Sequence, residues 1–364
     1  MKRMERMNNF QPNWASKPGD TIADVLKERR WSINSFAERI GCSKDIASDI
    51  ISGSISIDTG IAKKLEKALG ASAAFWINRE NQFRKDLSRI DVEKAWLKDL
   101  PINDMIQYGW IPRTNNLLET CLRFFQVPDI EAWNEKYNAL VGEYSFRASQ
   151  AYSSSKSAVA TWLRQGEIKS SASTNTKWNK QSFIDSLDNI KALTRKKDPK
   201  DFIPNLKNIC AESGVSVVIL PTPSGCRASG ATKFINEEKA LILLSFRYLS
   251  DDQFWFTFFH EAGHLVLHEQ REVFIDEDAG DVKDQKEVEA NSFAGEVLIP
   301  HTLHTQLFKI RGNHKDIIRF AMQAGVSPGI VVGQLQHHGH FKPSYMNSLK
   351  RRFDKEEITS LSDN

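Results

Sequence analysis

The chain contains few cysteines, and their spacing excludes several architectures. Four occur in 364 residues, at Cys42, Cys121, Cys210 and Cys226, separated by 79, 89 and 16 positions. None forms a C-x-x-C pair, so a zinc site built from thiolates is not expected. Such sparse and irregular usage favours reduced thiols in the cytosol over a disulfide framework.

Long apolar runs are also missing. No stretch approaches the ~20 apolar residues that a transmembrane helix needs. The first ten residues, MKRMERMNNF, contain no hydrophobic signal core. We therefore expect a cytoplasmic protein that is neither exported nor anchored in a membrane.

Basic and acidic side chains nearly balance over the whole chain, but they are not evenly distributed along it. The net charge is +3, yet the first 90 residues hold 16 basic and 11 acidic side chains, while the remainder holds 33 and 35. The small basic excess is therefore N-terminal. The hydrophobic content of 40% is ordinary, and the length allows two or three globular domains.

Periodicity and turn residues divide the chain into four parts. Residues 17–90 have short helical periods separated by glycines, which predict a bundle of about five small helices. Residues 91–195 predict a helical linking region. Residues 196–300 contain three short segments that predict a small sheet: VSVVIL (215–220), SGATKFI (229–235) and ALILLS (240–245). Residues 301–364 predict a helical C-terminal extension, so we expect an α+β protein.

The segment FTFFHEAGHLVLH (256–268) places ionisable side chains in an apolar helix. Ser250 is positioned as its N-cap, and at ~3.6 residues per turn His260 and His264 project from one face. Zinc binds imidazole nitrogens, and catalytic sites usually keep an open position. Glu261 would accept a proton from a metal-activated water molecule. The pattern predicts a hydrolytic zinc site; the alternative is a pair of hydrogen-bonded core histidines.

A third zinc ligand must come from elsewhere, and EVEANSFAGEVLIP (287–300) offers carboxylates. We predict Glu289, because apolar residues at helical spacing around it would hold it against the first helix. Glu287 is the weaker candidate, since two residues along a helix turn it to another face. His268 follows His264 by four residues rather than the six of the longer metzincin pattern, so we expect it to pack or to support a ligand.

A second motif lies near the N-terminus, in SINSFAERIGCSKDIASDIISG (32–53). Ala37 is followed four residues later by Gly41, the spacing of a helix-turn-helix. The second helix would enter the major groove of DNA. The residues expected to face the bases are Ser43, Lys44, Asp45 and Ser48. Asp45 and Asp49 bring negative charge toward the phosphates, so a module that only binds protein stays an alternative.

The C-terminal motifs resemble the ImmA/IrrE family of gluzincin-like zinc metallopeptidases. The resemblance lies in HEAGHLVLH, EANSFAGEVLIP and the preceding SGATKFINEEKALILLS, and it covers roughly residues 200–300. It implies that His260, His264 and Glu289 bind Zn²⁺ and that Glu261 is the base. Characterised relatives cut a helix-turn-helix repressor, which implies a protein substrate. IP stands here where MP is common.

The N-terminal motifs resemble Xre-family regulators, and HigA-type antitoxins most closely. PGDTIADVLKERRWSINSFAERIG and ALGASAAFWINRENQF carry this resemblance over residues 17–90. Ala47 departs from the Ile or Leu that is usual at its position. The resemblance implies binding to double-stranded operator DNA, and a symmetric operator would favour a homodimer.

Two functions follow from these motifs. The first is a DNA-binding regulatory zinc metalloprotease that cleaves a helix-turn-helix repressor or an antitoxin-like protein. The alternative is a non-proteolytic transcriptional repressor or antitoxin whose C-terminal domain senses a ligand or binds a toxin. Glu261 favours the first, because a purely structural zinc site needs four protein ligands rather than a base.

Overall fold

The computed structural model describes residues 14–145, 154–171, 176–268, 273–277, 284–354 and 358. The chain divides into two compact units, Met1–Lys98 and Asp99–Asn364. Within the described residues, every helix is too short or too polar to cross a lipid bilayer.

The first unit is a helical bundle, as its glycine and cap pattern predicts. Its helices are α1 (Pro18–Glu28), α2 (Ile33–Ile40), α3 (Lys44–Ser52), α4 (Thr59–Leu69) and α5 (Ala73–Asp99). α2 ends at Gly41, whose φ of +64° is a left-handed conformation that glycine adopts without strain. α3 begins after Ser43, whose hydroxyl accepts the Ile46 N–H. Phe36 and Leu65 are fully buried in the core of this bundle.

The second unit combines a helical layer with a four-stranded sheet. Its elements, in chain order, are α6 (Ile102–Gln107), α7 (Leu117–Phe125), α8 (Ile130–Ser145), α9 (Lys156–Ser170), α10 (Lys180–Leu193), α11 (Pro199–Glu212), β1 (Val215–Ile219), β2 (Ala228–Asn236), β3 (Lys239–Leu244), α12 (Asp251–Leu267), β4 (Val273–Glu277), α13 (Gln285–Leu298), α14 (His301–Leu307), α15 (His314–Ala324) and α16 (Pro328–His337). The predicted α+β class is confirmed.

The sheet has the strand order β1-β3-β2-β4. β1 and β3 are parallel, whereas β2 is antiparallel to both β3 and β4. Trp162 of α9 belongs to the core on one face with Leu241 and Leu243. Phe202 of α11 and Phe258 of α12 belong to the core on the other face. Because both faces are covered, β1 and β3 are almost continuously apolar.

The structure groups the predicted parts differently from the sequence pattern. Residues 99–195 and the described residues after 300 belong to the same compact unit as the sheet. The reason is that α9 packs on β1 and β3, and α16 packs on α12. Helical periodicity shows which face of a helix is apolar, but not which neighbour covers it.

Candidate metal centre

The HEAGH motif lies on a helix that passes through the interior of the second unit. α12 has Ser250 as its N-cap, as predicted, and its side chains from Phe258 to Leu265 are buried. Gly263 allows close approach of α13, because a Cβ there would lie 3.2 Å from Ala290 Cα. The polar groups of the motif are therefore in an apolar environment, where each needs a partner.

Two imidazoles and one carboxylate converge between α12 and α13. The Nε2 atoms of His260 and His264 are 3.0 Å apart. Glu287 Oε2 lies 3.1 Å from His260 Nε2, and Glu287 Oε1 lies 3.5 Å from His264 Nε2. In the part of the chain that the structure describes, this is the His/Cys/Asp/Glu group whose potential ligand atoms all lie within 4.8 Å of one another.

The carboxylate beside the rings is that of Glu287, not that of Glu289, the acid predicted from the sequence. α13 buries Ala290 and Ala294, and Glu287 shares their face because it precedes Ala290 by three residues. Glu289 is turned away, and its side chain is 43% exposed. Phe293 of α13 also packs against the core but is only half-buried, so the buried face is centred on the side of Ala290 that carries Glu287.

The outer nitrogens of both imidazoles also have partners. His260 Nδ1 is 3.0 Å from Asn291 Oδ1. His264 Nδ1 is 3.0 Å from His268 Nδ1, and His268 Nε2 is 3.2 Å from Glu289 Oε2. When these outer nitrogens donate, each Nε2 presents a lone pair toward Glu287. His268 thus supports His264, and Glu289 supports His268.

Glu261 is fully buried beside this cluster. Its Oε2 accepts a 2.5 Å hydrogen bond from Thr232 Oγ1 of β2, while its Oε1 has no hydrogen-bond partner among the described residues. Gly230 makes room for the carboxylate, because a Cβ there would lie 2.5 Å from Oε1. Burial raises the pKa of Glu261 well above its ordinary value, although the charge of His260 opposes this.

The two histidines have opposite pKa shifts. Burial lowers the pKa of His260, but its hydrogen bond to Glu287 and the nearby charges of Asp276 and Glu261 outweigh burial and raise it to about 9. Burial lowers the pKa of His264 to about 4, against the hydrogen bond to Glu287. Burial alone would raise the pKa of Glu287, but its hydrogen bonds to both rings hold it well below its ordinary value.

The cluster fits a zinc ion in both chemistry and spacing. Two imidazole nitrogens and one carboxylate form a donor set typical of catalytic zinc. Ligand atoms at ~2.0–2.1 Å from a tetrahedral ion are about 3.3 Å apart, and the observed separations of 3.0, 3.1 and 3.5 Å bracket that value. Among the described residues, Oε1 of Glu261 has no hydrogen-bond partner, which is a further indication that a polar group binds at this site.

The candidate DNA contacts lie at the start of α3. Lys44 and Asp45 are exposed, and Ser48 is half-buried. Ser43 is exposed, but its hydroxyl caps the helix. Ile46, on the same helix, is 42% exposed, and an apolar side chain in this position could contact a thymine methyl group.

Two polar residues of the metal centre were also missed. Asn291 follows Glu287 by four residues, so helical spacing could have identified it as a neighbour on the same face. Thr232 lies within SGATKFI, but period-two alternation does not show that its hydroxyl meets an acid of α12.

Comparison with known proteins agrees with both motifs. Residues 210–335 match the family described as IrrE N-terminal-like domain, a peptidase family, and residues 22–76 match the helix-turn-helix family. Over 65 residues the chain is 31% identical to the uncharacterized HTH-type transcriptional regulator YddM of Escherichia coli (strain K12), which covers 18% of this chain and 69% of the relative.

A crystal structure from Nostoc punctiforme, of a protein described as an antidote protein of a plasmid maintenance system, is also similar. It is 28% identical, the match covers 23% of this chain and 92% of that chain, and the TM-score is 0.22. The family matches place a DNA-binding fold in the first unit and a metallopeptidase domain in the second. The chain therefore belongs to the Xre-like helix-turn-helix regulators and carries a C-terminal peptidase domain of the IrrE/ImmA-like family.

Proposed function

We propose that this protein is a DNA-binding regulatory zinc metallopeptidase. The observation that carries the proposal is the convergence of His260, His264 and Glu287 beside the buried carboxylate of Glu261. His260, His264 and Glu287 would hold the ion, and Glu289 would act through His268 rather than as a ligand.

The arrangement supports peptide hydrolysis in defined roles. A bound Zn²⁺ would polarise the scissile carbonyl group and acidify a water molecule. Glu261 accepts the proton of that water at Oε1 and donates it to the leaving amine. Thr232 holds the other oxygen, Oε2, and so orients the carboxylate.

An extended segment of a protein is the substrate class that the surroundings favour. β4 is the last strand in the sheet order, and its Phe274 ring stacks on His264 with centroids 4.0 Å apart. A peptide that adds to the outer edge of β4 would pass beside the metal ligands. Because the chain also carries a DNA-binding unit, we propose a repressor or antitoxin-like protein as the substrate. A homodimer on a symmetric operator stays a prediction.

The non-proteolytic repressor or antitoxin is the second candidate. The similarity of the first unit to an HTH-type regulator favours it, since a regulator can use the second unit for sensing alone. The two candidates differ in whether Glu261 is needed once zinc is bound.

Substitution of Glu261 separates the two functions. The full chain and Glu261→Gln are loaded with zinc, analysed for metal content, and incubated with a cell extract whose new peptide N-termini are sequenced. We expect equal zinc content, with a loss of cleavage of at least about a hundredfold, because general-base catalysis contributes ~10²–10⁴. Glu131→Gln, on the exposed side of α8, is the matched control and should cleave normally. New N-termini that are the same with the wild type, with zinc-loaded Glu261→Gln and with no added protein would contradict the peptidase proposal and favour the repressor function.

A further inference from the structure

A cavity of about 130 Å³ lies beside the first turns of α12, before the metal ligands. Its walls come from three helices, which are α12, the end of α13, and α16. The lining residues that the argument uses are Asp252, Phe256, Leu298, Ile330 and Gln334. We call it the α12–α16 cavity.

The α12–α16 cavity is adjacent to the metal centre. Phe256 precedes His260 by four residues, so both side chains lie on one face of α12. The Phe256 ring is half-buried, and its centroid is 6.5 Å from that of the His260 ring. Leu298 is the last residue of α13, the helix that carries Glu287. One helical turn rises ~5.4 Å, a distance that the side chain of a peptide residue held at the metal can span.

A buried carboxylate in the cavity wall has an unused oxygen. Asp252 is 5% exposed, and Lys350 Nζ lies 2.6 Å from its Oδ2. Among the described residues, Oδ1 of Asp252 has no hydrogen-bond partner. Gly333 makes room for the carboxylate, because a Cβ there would lie 3.0 Å from Oδ2. Since a buried acceptor without a partner is costly, Oδ1 indicates that a donor from another molecule binds here.

The ion pair of Asp252 determines the charge of that donor. The Lys350 side chain is only 10% exposed, and its ammonium group also donates to Gln336 Oε1 at 2.7 Å. The carboxylate is therefore already neutralised. A second cation would bring an uncompensated charge into a buried site, and an anion would be repelled by the carboxylate. These contacts favour a neutral donor.

Gln334 of α16 supplies the complementary polar group. It is 7% exposed, and its side-chain amide has no hydrogen-bond partner in the part of the chain that the structure describes. A primary carboxamide both donates and accepts, so it can donate to Asp252 Oδ1 and accept from Gln334 Nε2. Leu298 and Ile330 are buried apolar residues against which methylene groups can pack. The volume is below that of small-molecule pockets and suits a single side chain.

We propose that the α12–α16 cavity is a specificity pocket that receives a glutamine side chain of the protein substrate, next to the peptide bond held at the metal centre. The inference rests on the proposed peptidase function. Asp252 and Gln334 recognise the carboxamide group, and Leu298 and Ile330 contact its methylene groups. Glutamate has the same shape as glutamine, but its charge would meet the Asp252 carboxylate.

Calorimetric titration of the zinc-loaded full chain with a series of peptide hydroxamates tests the pocket. The hydroxamate group binds the metal, and the compounds differ only in the side chain nearest to it, which is that of glycine, norleucine, glutamine, glutamate or lysine. We expect the glutamine compound to bind about tenfold more tightly than the norleucine compound, because two hydrogen bonds are gained. The glutamate compound should bind more weakly than the norleucine compound.

Two substitutions of Gln334 test the position of the pocket. Gln334→Leu should abolish the preference for glutamine over norleucine, because it removes the amide donor. Gln334→Glu places a second acid beside Asp252 and should make lysine the preferred side chain, a gain that a merely unfolded variant cannot show. Gln181→Leu, exposed on α10, is the matched control and should keep the wild-type ratios.

Three results would overturn the inference. One is equal affinity of the wild type for the glutamine and norleucine compounds. Another is a glutamine preference that persists in both Gln334 variants, which would place the side chain elsewhere. In these two cases the glycine compound still binds the zinc-loaded protein, so the peptidase proposal stands. The third is a lack of binding by every compound to protein of confirmed zinc content, which would contradict the peptidase proposal and this inference together.

Discussion

Glu287 and Glu289 stand two positions apart on α13 but have different surroundings. Glu287 contacts both imidazoles, whereas Glu289 is partly exposed and contacts His268 and Gln285. A carboxylate that binds the ion directly contributes its charge to the metal. A carboxylate that orients a supporting ring through hydrogen bonds contributes less, typically 10–100-fold in metal affinity.

The two acids should therefore differ in their effect on zinc binding. We expect Glu287→Gln to weaken zinc affinity to nearly the extent of His264→Ala, because each removes one of three ligands. Glu289→Gln should weaken it by only about tenfold, the lower end of that range, since its partner His268 retains the contact with His264. Competition with a chromophoric chelator measures all three affinities. A larger loss for Glu289→Gln than for Glu287→Gln would instead identify Glu289 as the ligand.

Lys44 is the exposed basic residue of α3, and it tests whether this helix approaches DNA. We expect Lys44→Ala to weaken DNA binding for all sequences and to reduce the slope of log affinity against log salt by about one, as for the loss of one phosphate contact. Lys94→Ala, exposed on α5, is the control. An unchanged salt slope for Lys44→Ala, measured by fluorescence anisotropy, would favour a first unit that binds protein.

At the scale of elements, the metal centre depends on how closely α12 and α13 approach. A Cβ on Gly263 would lie 3.1 Å from the Phe293 ring and 3.2 Å from Ala290 Cα. We expect Gly263→Ala to displace α13, to weaken zinc affinity and to cost about 1–3 kcal/mol of unfolding free energy through overpacking. Urea denaturation and chelator competition measure the two effects.

Gly295 provides the matched control for this approach. It lies on α13, and among the described residues no atom other than those of its neighbours along the helix lies within 4 Å of a Cβ built there. Gly295→Ala should raise the unfolding free energy by up to about 1 kcal/mol, because alanine restricts the unfolded chain, and should leave zinc affinity unchanged. If both alanine variants bind zinc like the wild type, helix approach does not position Glu287.

The same elements show what the sequence could reveal. Three short apolar segments predict β1, β2 and β3 to within one residue at each end, because strands covered on both faces are continuously apolar. β4 was not predicted, because its sequence VFIDE ends in two acidic residues and is not continuously apolar. Ser32 caps α2 by accepting the Ser35 N–H; the nearby Asn34 is also a residue type that favours this position, and only the backbone decides between them.

Helix periodicity predicted the helix that carries the carboxylate beside the two imidazoles, but it did not identify that carboxylate as Glu287. Ala290 follows directly after Glu289 and lies three residues after Glu287. A buried helix face that includes Ala290 can therefore include either acid, depending on the rotation of the helix about its axis. Only the packing of α13 on α12 fixes that rotation. Hence His260, Glu261 and His264, which are on one helix, could be grouped from sequence, whereas Glu287 needed tertiary structure.

At the scale of the whole molecule, each unit has its own buried core. Phe36, Leu65 and Trp76 belong to the core of the first unit. Phe202, Phe258 and Leu335 belong to the larger core of the second. The candidate ligands all lie in the second unit, on α12 and α13. A metal ion that binds only the folded state stabilises the region whose folding creates its site.

Zinc should therefore raise the unfolding temperature of the second unit and leave that of the first unchanged. At free zinc 100 times its Kd the gain is ~2.7 kcal/mol, which corresponds to about 5–10 °C for a unit of this size. Scanning calorimetry of the full chain, with zinc and with a chelator, measures the shift. The fluorescence anisotropy of a dye-labelled DNA duplex, followed during heating, identifies the transition of the first unit. His264→Ala should abolish the shift. A zinc-dependent rise in both transitions, or in the DNA-binding one alone, would place the metal outside the α12–α13 cluster, because an ion held there stabilises only the unit whose helices supply its ligands.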